Sequence, residues 1–139
     1  RIIVLSGHAG NSHMVALRLA AQDVMDKNEK SCSGQVRIMV LSDFDFAEDL
    51  ASEVAAPDDG HAGTIETSRV LAIKPELVKG KGKAEKWQLP RFEVLVHPER
   101  CFPGGVNGDP TSATVEKGKK INEYVIGQVE KLVRQLQTG

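Results

Sequence analysis

The sequence predicts an α/β fold, a three-layer arrangement in which helices flank a mostly parallel sheet. Three observations carry that expectation. The chain opens on a short apolar run, Ile2-Ile3-Val4-Leu5; a glycine-bearing turn and a helical pattern follow; a second apolar run, Val36-Arg37-Ile38-Met39-Val40-Leu41, comes next. Continuous apolar runs of this length mark the buried strands of a parallel sheet. Strand, turn, helix, strand is a βαβ unit, expected with a right-handed crossover.

Composition bounds the rest. The 139 residues are one domain's length and suffice to bury a core, so 1–139 reads as a single domain. Hydrophobic residues make up 40% and charged residues 27%, the balance of an ordinary globular chain. The formal net charge of -1 gives no electrostatic footprint for nucleic acid or an anionic membrane surface. No apolar run approaches the ~20 residues of a membrane span, and no signal peptide is visible. Cys32 and Cys101 stand alone, without Cys-x-x-Cys spacing. A disulfide framework is therefore not expected, and a reduced, cytoplasmic setting is the simplest reading.

The elements follow in order. Residues 2–5 form the first strand and 7–11 a tight turn. Asn11 or Ser12 is placed to cap a helix over 12–27, whose Met14, Leu17, Leu19, Ala21, Val24 and Met25 give a broad apolar face. Residues 31–34 read as a loop and 36–41 as the second strand. The stretch 43–59 is less regular, with a short helix within 46–55. A helix over 64–73 is ended by Pro75. The polar, glycine-broken segment 79–86 reads as an exposed loop and 92–96 as a strand. Residues 98–110 are rich in proline and glycine, so they form a loop with specific turns. Thr111 or Ser112 caps a last helix over 113–136. Its Ile121, Tyr124, Val125, Val129, Leu132, Val133 and Leu136 recur at three and four.

Two glycine-flanked histidines hold the candidate chemistry. The first lies in Ser6-Gly7-His8-Ala9-Gly10-Asn11, just past the end of the first strand. In open α/β sheets, ligands bind beyond the carboxyl ends of strands. His8 is a candidate metal ligand, base or turn histidine. The glycines could instead cradle a phosphate, although neither the dinucleotide nor the P-loop pattern is present. The second lies in Asp58-Asp59-Gly60-His61-Ala62-Gly63-Thr64-Ile65-Glu66. Here two carboxylates, a histidine and a third carboxylate fall within nine residues. Glycine lets the backbone take φ > 0 or come close to another group. His61 would sit on a loop and Glu66 in the first turn of the next helix. A metal site or an acid–base site needs such hard ligands and a titratable imidazole on a fixed backbone. His13, the pair Asp43 and Asp45, and His97 with Glu99 read as structural. Trp87 and Phe102 either line a pocket or cover core.

These residues resemble the creatininase family of metal-dependent amidohydrolases. The resemblance rests on Ser-Gly-His-Ala-Gly-Asn at 6–11, Asp-Gly-His-Ala-Gly-x-x-Glu-Thr-Ser at 59–68, and Gly-Val-x-Gly-Asp-Pro-x-x-Ala-Thr-x-Glu-Lys-Gly at 105–118. The three blocks stand in the family's order. The resemblance implies divalent metal ions (zinc, manganese or iron), two per complete site, activating a water that attacks a C–N amide carbon. It implies that His8 is a metal ligand and Glu66 a ligand or near-metal carboxylate. His61 would contact the substrate or pass a proton to the leaving nitrogen. Asp58 or Asp59 lies where the family places a substrate-side carboxylate. A small-molecule amide, cyclic or formamide-like, is the implied substrate, and a homo-oligomer, commonly a hexamer, the implied assembly.

The chain departs from creatininase itself at one residue and in one region. Creatininase carries a ligand glutamate where this chain has Gly10, so the chain resembles the Gly-His-Gly-Gly-Asn branch more closely. The family's first ligands precede the strand that opens this sequence. The expectation is therefore a C-terminal portion, inactive alone and completed by an N-terminal segment or a partner chain. A non-catalytic binding or assembly subunit of the same fold is the alternative.

Overall fold

The two apolar runs become strands β1 (Ile2–Ser6) and β2 (Ile38–Ser42), paired in parallel with Ile3 opposite Met39 and Leu5 opposite Leu41. The computed structural model describes residues 1–32, 36–80 and 82–138, with the backbone alone for 30–32. Among the described residues the sheet has these two strands. Helices surround the rest, and the class is α/β as the βαβ pattern requires.

The helix between the strands, α1 (Asn11–Cys32), is longer than expected. The Gly10 carbonyl accepts the Met14 N–H, so Gly10 holds the cap position and Asn11 and Ser12 lie inside the first turn. Residues 31 and 32 are helical rather than loop, while 33 and 34 lie outside the described residues. The broad apolar face is also corrected. Met14, Leu17, Ala21 and Met25 are covered, a stripe at spacings of three and four, while Val24 stays exposed and Leu19 is 65% exposed. Helix α1 and the short α2 (Phe44–Ala47) both pack on β2.

The chain divides into two compact units, Arg1–Glu48 with Tyr124–Gly139, and Asp49–Glu123. The first holds the sheet, α1 and α2. The second holds α3 (Ala51–Val54), α4 (Thr64–Ile73) and several single 3-10 turns. Helix α4 packs against α3 and against the turns Pro75–Leu77 and Pro110–Ser112. Its Thr64, Ile65 and Ser68 are fully buried.

The last helix, α5 (Val115–Thr138), begins in the second unit and ends in the first. Its cap is Thr114, neither Thr111 nor Ser112. The Thr114 carbonyl accepts the Gly118 N–H at 3.1 Å and its hydroxyl accepts the Lys117 N–H at 3.2 Å. Thr111 and Ser112 are occupied elsewhere, both hydroxyls donating to the Asp109 carboxylate. Gly118 lets α5 approach α4 closely, because a Cβ there would overlap the Ser68 carbonyl oxygen. The Ser68 hydroxyl meanwhile accepts the Thr114 N–H at 3.1 Å. Along α5 the covered positions are Ile121, Val125, Val129, Leu132 and Leu136, and Val133 is exposed.

Residues 92–96 form no strand. Phe92, Val94 and Val96 are 89%, 96% and 87% exposed, and no neighbouring segment pairs with them. The segment 79–86 is exposed as expected, with Lys81 outside the described residues. Its end is anchored by an antiparallel bridge between Glu85 and Gly108. Among the described residues no helix is long and apolar enough to cross a membrane. Cys101 is a free thiol; the Cys32 side chain lies outside the described atoms.

Candidate functional site

In the second unit, the loop 58–63 is built to start α4 in a fixed place. Gly63 occupies the cap position of α4 and brings no side chain to cap it. Asp59 supplies the cap from four residues upstream. Its Oδ1 accepts the Thr64 N–H at 2.7 Å and its Oδ2 the Ile65 N–H at 2.9 Å. An anionic oxygen at a helix N-terminus is favoured both by the free N–H groups and by the helix dipole. The Asp109 N–H also reaches Asp59 Oδ1, at 3.4 Å. Gly60 and Gly63 therefore serve close approach rather than positive φ: a Cβ at Gly63 would overlap the Asp59 carboxylate, and one at Gly60 would lie 2.9 Å from Asn107 Nδ2. The left-handed residues of the loop are Asp58 (φ 64°) and Ala62 (φ 53°).

Ala62 is held there from both sides. Its N–H donates to Glu66 Oε2 at 2.6 Å and its carbonyl accepts the Thr67 hydroxyl at 3.2 Å. Glu66, in the first turn of α4, thus braces the loop that carries His61. His61 Nδ1 lies 3.9 Å from the same Glu66 oxygen, close for an ion pair and too long for a hydrogen bond. Both side chains are partly exposed. Asp58 points elsewhere, pairing with Lys86 Nζ at 2.6 Å. The hydrogen bond from the Lys86 ammonium, and then its charge, hold the Asp58 carboxyl below the usual carboxylate range.

Asn107, which the sequence reading passed over, ties two other segments to this loop. Its carbonyl accepts the Gly60 N–H and its N–H donates to the His61 carbonyl, both at 2.7 Å. Its Oδ1 accepts the Trp87 N–H at 3.1 Å. The third family-like block leaves its position unspecified, so no residue pattern marked it. Trp87 stacks on Phe102 at 4.5 Å between centroids and lies 5.8 Å from the His61 ring. Its indole Nε1 is buried without a hydrogen-bond partner among the described residues. Two clefts adjoin the loop. One of about 300 Å³ is lined by Asp58, Asp59, Glu85, Lys86 and Asn107 among others. Another of about 400 Å³ is lined by Glu66, Val70, Leu77, Val78, Val106 and Pro110 among others.

In the first unit, His8 follows β1 as expected. Ser6 organises the turn: its hydroxyl accepts the His8 N–H at 3.1 Å and donates to the His8 carbonyl at 2.9 Å. The same oxygen lies 3.0 Å from His13 Nε2. The His8 and His13 rings meet edge to face with centroids 5.3 Å apart. A Cβ at Gly10 would collide with His8 Nε2, so the imidazole takes space that only glycine leaves.

The structure thus brings Asp59, His61 and Glu66 together, directs Asp58 to Lys86, and sets His8 beside His13. Asp43 and Asp45 border the end of β2, where Asp45 accepts the Ser42 N–H at 3.0 Å. His97 and Glu99 form an exposed pair at 3.1 Å. Among the described residues no three His, Cys, Asp or Glu side chains gather as a metal-holding group. Neither unit builds a full coordination sphere by itself. The chemistry of the donors is nonetheless right in part, since paired imidazoles suit a divalent transition metal.

Comparison with known proteins adds the following. The creatininase family model, described as creatinine amidohydrolase, matches residues 1–133. The mycofactocin precursor peptide peptidase of Mycobacterium ulcerans (strain Agy99) is 29% identical over 128 residues, covering 87% of this chain and 43% of that protein. The creatinine amidohydrolase of Pseudomonas putida is 26% identical over 147 residues, covering 97% of this chain and 55% of that protein. A solved structure titled "Creatininase Mn" superposes with a TM-score of 0.75 at 25% identity, covering 97% of this chain and 56% of that one. The chain spans about half the length of the curated relatives it matches.

Proposed function

Because the chain belongs to the creatininase family, we propose that it carries the C-terminal share of a metal-dependent amidohydrolase acting on a non-peptide C–N amide bond of the cyclic amide or formamide type. The observation that carries this reading is the loop–helix joint of the second family block. There a partly exposed imidazole, His61, stands 3.9 Å from a carboxylate fixed in the first turn of α4. An imidazole placed this way can pass a proton to a leaving nitrogen.

The remaining roles follow residue by residue. His8 would hold metal, and Glu66 would face metal while bracing the Ala62 peptide. Asp59 positions α4 through its cap and so fixes Glu66. Asp58, free of the helix, is the carboxylate better placed to meet a substrate group. A divalent ion bound at such a site supplies Lewis acidity toward an amide carbonyl. Further ligands are needed to complete such a site, since catalytic metals take about three protein ligands each.

Native mass spectrometry with metals retained, followed by hydrolysis of an amide panel, tests the reading. We expect a metal-bearing species that cleaves at least one amide, with metal lost on His8→Ala and on Glu66→Ala. A fully assembled species without metal would overturn it and favour the binding or assembly subunit. The absence of a three-ligand group among the described residues is what keeps that second reading in view.

A further inference from the structure

We infer that His13 is a metal-binding imidazole, paired with His8 and standing in for the ligand carboxylate that this chain lacks at Gly10; the inference rests on the amidohydrolase reading above.

Geometry comes first. Two imidazoles on one tetrahedral ion, with metal–nitrogen bonds of about 2.0–2.1 Å, have ring centroids about 5 Å apart. The His8 and His13 rings are 5.3 Å apart and edge to face. No bulky group separates them by necessity, because both belong to the short stretch 8–13 and both are exposed. The glycine contributes directly. A side chain at position 10 would collide with His8 Nε2, so its absence is what lets the His8 ring lie where it does.

Proton accounting comes second. A serine hydroxyl has one hydrogen to give and two lone pairs to accept with. The Ser6 hydrogen goes to the His8 carbonyl, and the oxygen accepts the His8 N–H. Its contact with His13 Nε2 at 3.0 Å must then be N–H to oxygen. That contact engages Nε2 and leaves Nδ1 as the ring atom that would meet a metal. Metal-bound histidines characteristically donate their second N–H to such an outer acceptor, which sets ring orientation.

The consequence is a change of metal preference. Exchanging a carboxylate for a neutral imidazole removes a hard anionic ligand and adds a borderline one. Imidazole suits zinc and cobalt, whereas carboxylate suits manganese. The pair should therefore favour zinc over manganese more strongly than a site with a glutamate at position 10.

The test is titration of metal-stripped protein with Co(II), followed by its visible absorption, and competition with Zn(II) and Mn(II). We expect His13→Ala to weaken Co(II) binding at least tenfold with an unchanged melting temperature. His13→Gln, which keeps a polar residue in the first turn, should do the same. Ser6→Ala should weaken binding about tenfold, the range for an outer-sphere partner. Gly10→Glu should move the Zn(II)-to-Mn(II) preference toward Mn(II). Unchanged Co(II) affinity and spectrum in both His13 variants would overturn the inference alone. No Co(II) binding by the parent protein would overturn it together with the amidohydrolase reading.

Discussion

The two glycine-flanked histidines look alike in sequence and are held very differently. His61 sits in a loop whose backbone is bonded to the Glu66 and Thr67 side chains of α4 and to the Asn107 backbone, so two segments hold it in place. His8 sits in a turn governed by one hydroxyl, that of Ser6, and its ring has open surroundings apart from His13. Glycine does a different job in each. At Gly60 and Gly63 it admits neighbouring polar atoms to a crowded joint; at Gly10 it makes room for an exposed imidazole. A glycine beside a histidine therefore says that something comes close, without saying how firmly that something is fixed.

The contrast can be broken first at its strut. In Gly118→Ala the new methyl meets the Ser68 backbone carbonyl, which cannot swing aside, and α4 must shift with it. We expect a loss of about 3 kcal/mol, the upper end for overpacking, measurable by chemical denaturation. Asp59→Ala comes next. It strips α4 of its cap and leaves three N–H groups without their acceptor, so a loss of about 2 kcal/mol is expected, with His61 resonances broadened by NMR. Gly10→Ala sharpens the comparison from the other side. Only an exposed ring must move, so stability should change by less than about 0.5 kcal/mol while the His8 resonances shift.

The smallest effect is that of pH. Asp109 is held below the usual carboxylate range by the Ser112 hydroxyl and then the Thr111 hydroxyl, and Asp58 by Lys86. A carboxylate with a lowered folded pKa stabilises the fold above its unfolded value, near ~3.9, and that contribution disappears as pH falls through the folded pKa. Melting temperature should thus be flat near neutrality and decline below about pH 4. Asp58 is exposed and Asp109 only half-buried, so Asp109→Asn should flatten the decline only slightly.

Much of this was legible because it is local. The continuous apolar runs located β1 and β2 within two residues, and Pro75 ended α4 where it should. The stripe through Ile121, Val125, Val129, Leu132 and Leu136 marked α5. What failed was whatever needed a partner from elsewhere. Phe92, Val94 and Val96 have strand-forming side chains, but a strand exists only when another pairs with it. Leu19 and Val24 fit a helical face, yet nothing among the described residues covers them. The cap of α5 went to Thr114 because Asp109 already engages Thr111 and Ser112, a competition that residue preference does not show. The loop that holds His61 and the helical place of Glu66 were legible as local structure, whereas the bonds of Asn107 to Gly60, His61 and Trp87 were not, because they span distant parts of the sequence.

Ala62 is the residue through which this joint can be timed. Its left-handed backbone costs an alanine about 1–2 kcal/mol, and its N–H is bound to a carboxylate rather than to water. Exchange of that one amide with deuterated solvent requires Glu66 to let go. Its lifetime is therefore a clock on the opening of the loop that carries His61, and it should run slower than that of any neighbour whose N–H faces solvent.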